Sequence, residues 1–217
     1  MDLFSMKSQQ IKSITTSPEL LRKLWTWTIA SDIEISALGD ATILGDSLNV
    51  TNRTHLLKQE GSFGHTKIDG IAVADCINSQ VMAGNDPSNI RFHFHTHPKM
   101  SVFFSGTDMG NVETLHQSMP IVVASIFNEK GDTRWGLMQH GVWFEWEVNI
   151  SRVVPHPDLE EIQAAKALLS RYVSKKAHFF KYKHLCTKHQ GKDWCAYARG
   201  HVGTCSFDSV ETDYMHW

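Results

Sequence analysis

Apolar and polar residues alternate through Ile90, Arg91, Phe92, His93, Phe94, His95 and on to His97. A period of two predicts a strand with one packed face, because successive side chains on a strand point to opposite sides. Ile90, Phe92 and Phe94 would then face a core, with His93, His95 and His97 together on the other side. Pro98 lacks the N–H a ladder needs and ends the pairing. Upstream, residues 9–16 read as a short first strand. Ser17-Pro18-Glu19 opens a helix with a serine N-cap, proline at the first position and an acid in the first turn. That helix is predicted to run to about Ala30 on an apolar face of Leu20, Leu21, Leu24, Trp25 and Ile29.

A second strand is predicted over residues 32–39, carrying Glu34, and a strand-turn-strand over 41–50 with its turn at Gly45-Asp46. Residues 52–65 are polar, contain Gly61 and Gly64, and read as a loop. Residues 67–82 read as a helix packed through Ile68, Ile71, Ala72, Ile77 and Val81, with Cys76 in the core, stopped by Gly84-Asn85-Asp86-Pro87. A helix over 109–118 follows the histidine strand, then a largely buried strand over 120–128. Two more strands, 133–139 and 142–148, meet at His140-Gly141. The last places Trp143 and Trp146 on opposite faces, so that one is exposed. Strands and helices interleaved with hairpins describe a mixed α/β domain over residues 9–154. Residues 155–217 form a separate extension: a helix over about 159–180 with Ile162, Ala165, Leu168, Leu169 and Tyr172 apolar, then a Cys/His-containing tail.

Composition narrows the function classes. The net charge of −2 over 217 residues offers no bulk attraction to nucleic acid. No apolar run approaches the roughly 20 residues of a membrane span, and the first residues lack the apolar stretch of a secretory signal. Four cysteines fit a reducing compartment, so a cytoplasmic protein is expected. Cys186, Cys195 and Cys205 lie among His184, His189 and His201, a spacing that matches no standard zinc finger. Free thiols, or a disulfide formed after purification, fit that tail better than a second zinc.

The candidate chemistry lies around the histidine strand. His95 and His97 project together, seven residues separate His97 from Ser105, and two more separate Ser105 from Asp108. Ser105 can cap a helix whose first turn then carries Asp108. Two neutral imidazoles and one carboxylate, with a fourth position open, make the ligand set of a catalytic zinc. Read separately, the two histidines fit a solvated strand face and Ser105 with Asp108 fits a plain helix cap. Joined at this spacing they are far more specific.

The pattern resembles the motif of the JAMM (MPN+) metalloproteases: an upstream Glu, then His-Ser/Thr-His, seven residues, Ser, two residues and Asp. His95-Thr96-His97, Ser105 and Asp108 match each downstream position. Glu34-Ile35-Ser36-Ala37-Leu38-Gly39 is similar to the family's Glu-x-Ser-Gly-Leu-Gly segment, with Ala37 in place of the usual glycine. The resemblance covers residues 9–154. It implies an MPN/JAB-type, cytidine-deaminase-like layered sheet flanked by helices, with a C-terminal helical extension. It further implies Zn2+ held by His95, His97 and Asp108, with Glu34 as general base and acid and Ser105 at the developing oxyanion. The implied reaction is cleavage of the amide or isopeptide bond after the C-terminal tail of ubiquitin or a ubiquitin-like protein, with Leu56 to Glu60 helping to hold that tail. His93 is expected beside the ligands or exposed. An inactive scaffold and a peptidase with a different substrate are the alternatives. Other metal-enzyme signatures, His-Glu-x-x-His and the deaminase Pro-Cys-x-x-Cys, are absent.

Overall fold

The strand that carries the candidate histidines belongs to a sheet whose two faces are covered by different helices. The computed structural model describes residues 10–175 and, beyond them, two short strands. In chain order the elements are β1 (Ser13–Thr16), α1 (Pro18–Ala30), β2 (Ser36–Leu44), β3 (Ser47–His55), β4 (Gln59–Gly61) and β5 (Thr66–Ile68). There follow α2 (Gly70–Met82), a 3-10 turn (Pro87–Asn89), β6 (Ile90–Thr96), α3 (Gly106–Ser118), β7 (Ile121–Phe127), β8 (Asp132–Gln139) and β9 (Val142–Asn149). A second 3-10 turn (Ile150–Arg152), α4 (Leu159–Tyr172) and β10 (Val173–Lys175) precede β11 (His189–Gln190) and β12 (Asp193–Trp194), which pair antiparallel. The chain divides into two compact units, Met1–Lys176 and Ala177–Trp217. The cysteine-rich tail expected at Cys186, Cys195 and Cys205 lies outside the described residues.

The main sheet has seven strands in the order β1-β3-β2-β6-β7-β8-β9. It is mixed: β1 with β3 and β6 with β7 run parallel, and the other neighbours run antiparallel. The mixed α/β class read from the sequence is therefore the class of the fold. A second sheet, β10-β4-β5, pairs β10 parallel and β5 antiparallel to β4. Between β8 and β9, His140 and Gly141 both take positive φ, 52° and 74°. That is the backbone of a two-residue type I′ turn, which matches the twist of a hairpin.

The alternation in β6 decides the layers. Phe92 and Phe94 join the core formed with Leu20, Leu24, Trp25 and Trp27 of α1 and Val123 and Phe127 of β7. Phe94 meets Phe127 edge-on at 5.4 Å between centroids, and Phe92 stacks on Trp135 at 5.6 Å. Each such fully buried aromatic contributes about 1.5–3 kcal/mol relative to exposure. On the other face Val112 of α3 packs with Val122, Ala124 and Met138. Of the two tryptophans in β9, Trp146 is the more exposed at 37 %, while Trp143 packs on Phe104 with centroids 4.8 Å apart.

Four local expectations are corrected. Residues 52–65 are not a plain loop, because β3 continues to His55 and β4 pairs within it. The helix expected from Lys67 begins at Gly70, with Asp69 capping the Ile71 N–H, because residues 66–68 form β5. Its packed side is Ala72, Val73 and Cys76 against Leu38, Leu57 and Ile90, while Ile71 is 74 % and Val81 53 % exposed. The helix expected to reach about 180 ends at Tyr172, where Val173 turns extended and pairs with Gln59. That helix, α4, packs on α1 through Ala165 and Leu169 and lies in the first compact unit. Arg22 of α1 holds it with two hydrogen bonds to Glu161, 2.7 and 2.6 Å long. No helix among the described residues is long and apolar enough to cross a membrane.

Candidate metal centre

The site assembles from three chain segments. Glu34 lies just before β2, so the strand expected to carry it begins two residues later. Its N–H donates to the Ser62 carbonyl at 2.8 Å, and the Ile35 N–H donates to the Thr96 hydroxyl at 2.9 Å. The middle residue of His95-Thr96-His97 thus fixes the backbone beside Glu34. His95 lies at the end of β6 and His97 one residue past it, on the face away from the Phe92 and Phe94 core. Asp108 comes from the first turn of α3.

That turn follows from a capping box. The Ser105 N–H donates to Asp108 Oδ2 at 2.8 Å, and the Asp108 N–H donates to Ser105 Oγ at 3.2 Å. The Ser105 hydroxyl also donates to Oδ2, at 2.6 Å. Both Ser105 donors are thus committed to one oxygen, which leaves Asp108 Oδ1 facing His95.

Four buried side chains converge. His95 Nε2 is 3.5 Å from Glu34 Oε2 and 3.4 Å from Asp108 Oδ1. His97 Nε2 is 3.8 Å from Glu34 Oε1 and 3.8 Å from Asp108 Oδ2. Glu34, His95 and His97 place one ligand atom each within 4.8 Å of one another, so this buried group could hold a metal ion. Asp108 approaches both imidazoles but is not part of that closest trio.

Whether the donors suit a metal is decided by the far nitrogens. His95 Nδ1 lies 3.2 Å from Ser36 Oγ, and His97 Nδ1 lies 3.1 Å from the Ser101 carbonyl. A carbonyl only accepts, so His97 carries its proton on Nδ1 and turns the Nε2 lone pair inward. Ligands about 2.0–2.1 Å from a tetrahedral ion stand about 3.3 Å apart. The 3.4–3.8 Å spacings between these donors fit that scale.

The electrostatics follow from burial. Glu34 is 3 % exposed, and its pKa is pushed from 4.5 up to about 8, first by burial and then by the Asp108 charge. Burial drives the His95 pKa far below its ordinary value, opposed by Asp108 and assisted by neighbouring imidazoles. His93, expected beside the site or exposed, is buried with its ring stacked 6.4 Å from His95. Burial lowers its pKa to about 4, which keeps it neutral.

The structure therefore brings together Glu34, His95, His97, Ser105 and Asp108. Three supports escaped the sequence reading: Ser36 against His95, the Ser101 carbonyl against His97, and Gln59, whose amide bonds Ser36. Only the serine of Glu34-Ile35-Ser36 carried a signal. The Ser101 and Gln59 contacts depend on chain reversals that leave no periodic pattern. No protein-family model matches the chain, and a search of the curated proteins returns no significant match.

Proposed function

We propose that the chain is a JAMM-type zinc metalloprotease, a hydrolase of peptide or isopeptide bonds. In this reading His95, His97 and Asp108 hold the metal and Glu34 moves the proton. The observation that carries it is the convergence of two inward-facing imidazole nitrogens and two carboxylates at 3.4–3.8 Å in a buried pocket. Its support from the sequence is the spacing from Glu34 through His95-Thr96-His97 to Ser105 and Asp108. When bound, the zinc supplies Lewis-acid polarisation of the scissile carbonyl and lowers the pKa of a water towards about 7.

The remaining work falls to side chains. Glu34 accepts the proton of the attacking water and passes it to the departing amine. In the metal-free site burial keeps Glu34 protonated near neutral pH; a dication beside it would favour the ionised form that accepts a proton. Ser105 has two tasks in this reading. Its backbone and hydroxyl hold Asp108 Oδ2, and its hydroxyl, turned from that oxygen, can donate to the developing oxyanion. Burial of Glu34, His95, His97 and Asp108 lowers the local dielectric and strengthens these interactions.

For the substrate we propose an extended polypeptide, the C-terminal tail of ubiquitin or a ubiquitin-like protein. A pocket of about 600 Å³ lies along β4, β5 and the end of α4, lined by none of the five site residues themselves. It is lined by Lys58, Gln59, Glu60 and Lys67, among others, which overlaps the segment expected to hold the tail. The test is hydrolysis of an isopeptide-linked ubiquitin conjugate and of an unrelated peptide by the zinc-loaded chain. Cleavage after the ubiquitin tail, lost in Glu34→Gln with zinc retained, supports the reading. Cleavage of the unrelated peptide alone transfers the chemistry to another substrate. Bound zinc with no cleavage of either makes the protein a scaffold.

A further inference from the structure

β2 and β3 pair from Leu44↔Ser47 as far as Leu38↔His55. Beyond that pair the β2–β3 ladder stops, and Ser36 has no strand neighbour on that side. On its other side Ser36 pairs with His95. The side chain of Gln59 fills the gap. Its Oε1 accepts the Ser36 N–H at 2.7 Å, and its Nε2 donates to the Ser36 carbonyl at 2.8 Å. The same Nε2 donates to the Leu57 carbonyl at 3.0 Å, and Oε1 accepts the Thr66 hydroxyl at 2.9 Å.

Those four bonds use both donors and both lone pairs of a carboxamide. Gln59 is 4 % exposed, so water cannot substitute for them. The amide stands where the next peptide unit of β3 would have paired. Ser36, held by it at both backbone groups, sets its Oγ 3.2 Å from His95 Nδ1.

We propose that Gln59 is a positioning residue for the metal centre, fixing Ser36 and, through Ser36, the tautomer and ring orientation of His95. This rests on the metal-site reading above. The need for it lies in the other ring nitrogen. Asp108 and Glu34 oxygens stand 3.4 and 3.5 Å from His95 Nε2, and both would accept a proton carried there. A ring protonated at Nε2 has no lone pair to offer a metal. In this proposal Ser36 Oγ, 3.2 Å from Nδ1, accepts a hydrogen bond from a proton held there instead. It can do so only while the backbone beneath it stays in register with β6. The β4–β5 hairpin is thereby part of the site, since β4 carries Gln59 and the following Ser62 accepts the Glu34 N–H.

The test begins with the full-length, metal-free protein, using nitrogen-15 spectra of its imidazoles at a pH where His95 is neutral. The wild type is expected to hold the His95 proton on Nδ1, and Gln59→Ala to move a large share of it to Nε2. Zinc affinity is then measured by competition with a chelator. Loss of an outer partner of a ligating histidine costs about tenfold or more, and that loss is expected for Gln59→Ala. Gln59→Glu fills the same space but can donate to at most one of the Ser36 and Leu57 carbonyls, and is expected to lose affinity in the same direction. Ser36→Ala should reproduce the loss, with the double variant no weaker than Ser36→Ala alone, because the two act in series. Thr66→Val removes one bond of the four and keeps the shape. It gives the same direction at about two- to threefold should Gln59→Ala not fold.

An unchanged His95 tautomer and zinc affinity in a folded but less stable Gln59→Ala would overturn the proposal and leave Gln59 a purely structural residue. A tautomer that responds to Gln59→Ala in a protein that binds no zinc would sustain the Gln59–His95 coupling and remove the metal reading. The two failures are therefore told apart.

Discussion

Glu34→Gln in the metal-free protein separates the cost of the site from its chemistry. Folding raises the Glu34 pKa from 4.5 to about 8, through burial first and Asp108 second. Between those two values the native state binds more protons than the unfolded chain. The group's contribution to stability is therefore fully present below pH 4.5 and falls as pH rises to about 8. The rise corresponds to a ceiling of about 5 kcal/mol. Local relaxation and water entry reduce it, and about half is a reasonable expectation. Some 2 kcal/mol moves the melting temperature of a chain this long by about 4–8 °C. Glutamine has the shape of the protonated acid and does not ionise. Chelator-treated wild type and variant should melt within about 1 °C of each other at pH 5, and the variant higher by about 4–8 °C at pH 9. His93 and His95 titrate in both proteins and largely cancel in the difference. Excess zinc should narrow the gap in the wild type, because a dication favours the ionised carboxylate beside it. A melting difference that does not change between pH 5 and pH 9 would refute the burial argument for Glu34.

The other predictions concern the supports. Ser105→Ala removes the α3 cap and both hydroxyl contacts to Asp108, and should cost about 1 kcal/mol in urea unfolding while weakening zinc binding. Unaltered zinc affinity would show that Asp108 needs no help from Ser105. Phe94→Ala should cost about 3–5 kcal/mol, since Phe94 is fully buried between His93 and His95 in sequence and packs on Phe127 and Trp27. A loss under about 1 kcal/mol would mean that β6 is held by its ladder alone. Arg22→Ala breaks the paired bonds to Glu161 and should loosen α4 from α1, with faster limited proteolysis at residues 155–158 as the readout. Equal cleavage rates in the two proteins would count against the clamp.

Much of the site was legible because its pieces are local. Alternation placed His95 and His97 on one face, and the Ser105 to Asp108 interval is that of a capping box, so strand and helix each announced their ligand. Alternation over residues 32–39 placed Glu34 on a strand that begins two residues later, and only its likeness to a known segment gave it a role. β4, β5 and β10 were invisible. Strands of three residues carry no usable period, and these are held by backbone pairing and by one buried amide. α2 misled because apolar residues lie on both sides of it. The largest ones, Ile71, Ile77 and Met82, are exposed, while smaller Ala72, Val73 and Cys76 fit the close approach to Leu38 and Ile90. A pattern weighted by side-chain size picks the wrong face when the available space is shallow. The end of α4 was placed too late because the apolar stripe runs into Tyr172 and Val173, and the pairing of Val173 with Gln59 is not a local property.

The central claim is that these donors form a zinc site in which Asp108 is a ligand and Glu34 is not. Elemental analysis of the full chain, purified without chelator, tests it most directly on wild type, Asp108→Ala and Glu34→Gln. The account predicts one zinc per chain at this site in the wild type, retained in Glu34→Gln and lost in Asp108→Ala. Zinc retained in Asp108→Ala but lost in Glu34→Gln would reverse the two carboxylates' roles, and no zinc in the wild type would contradict the metal centre itself.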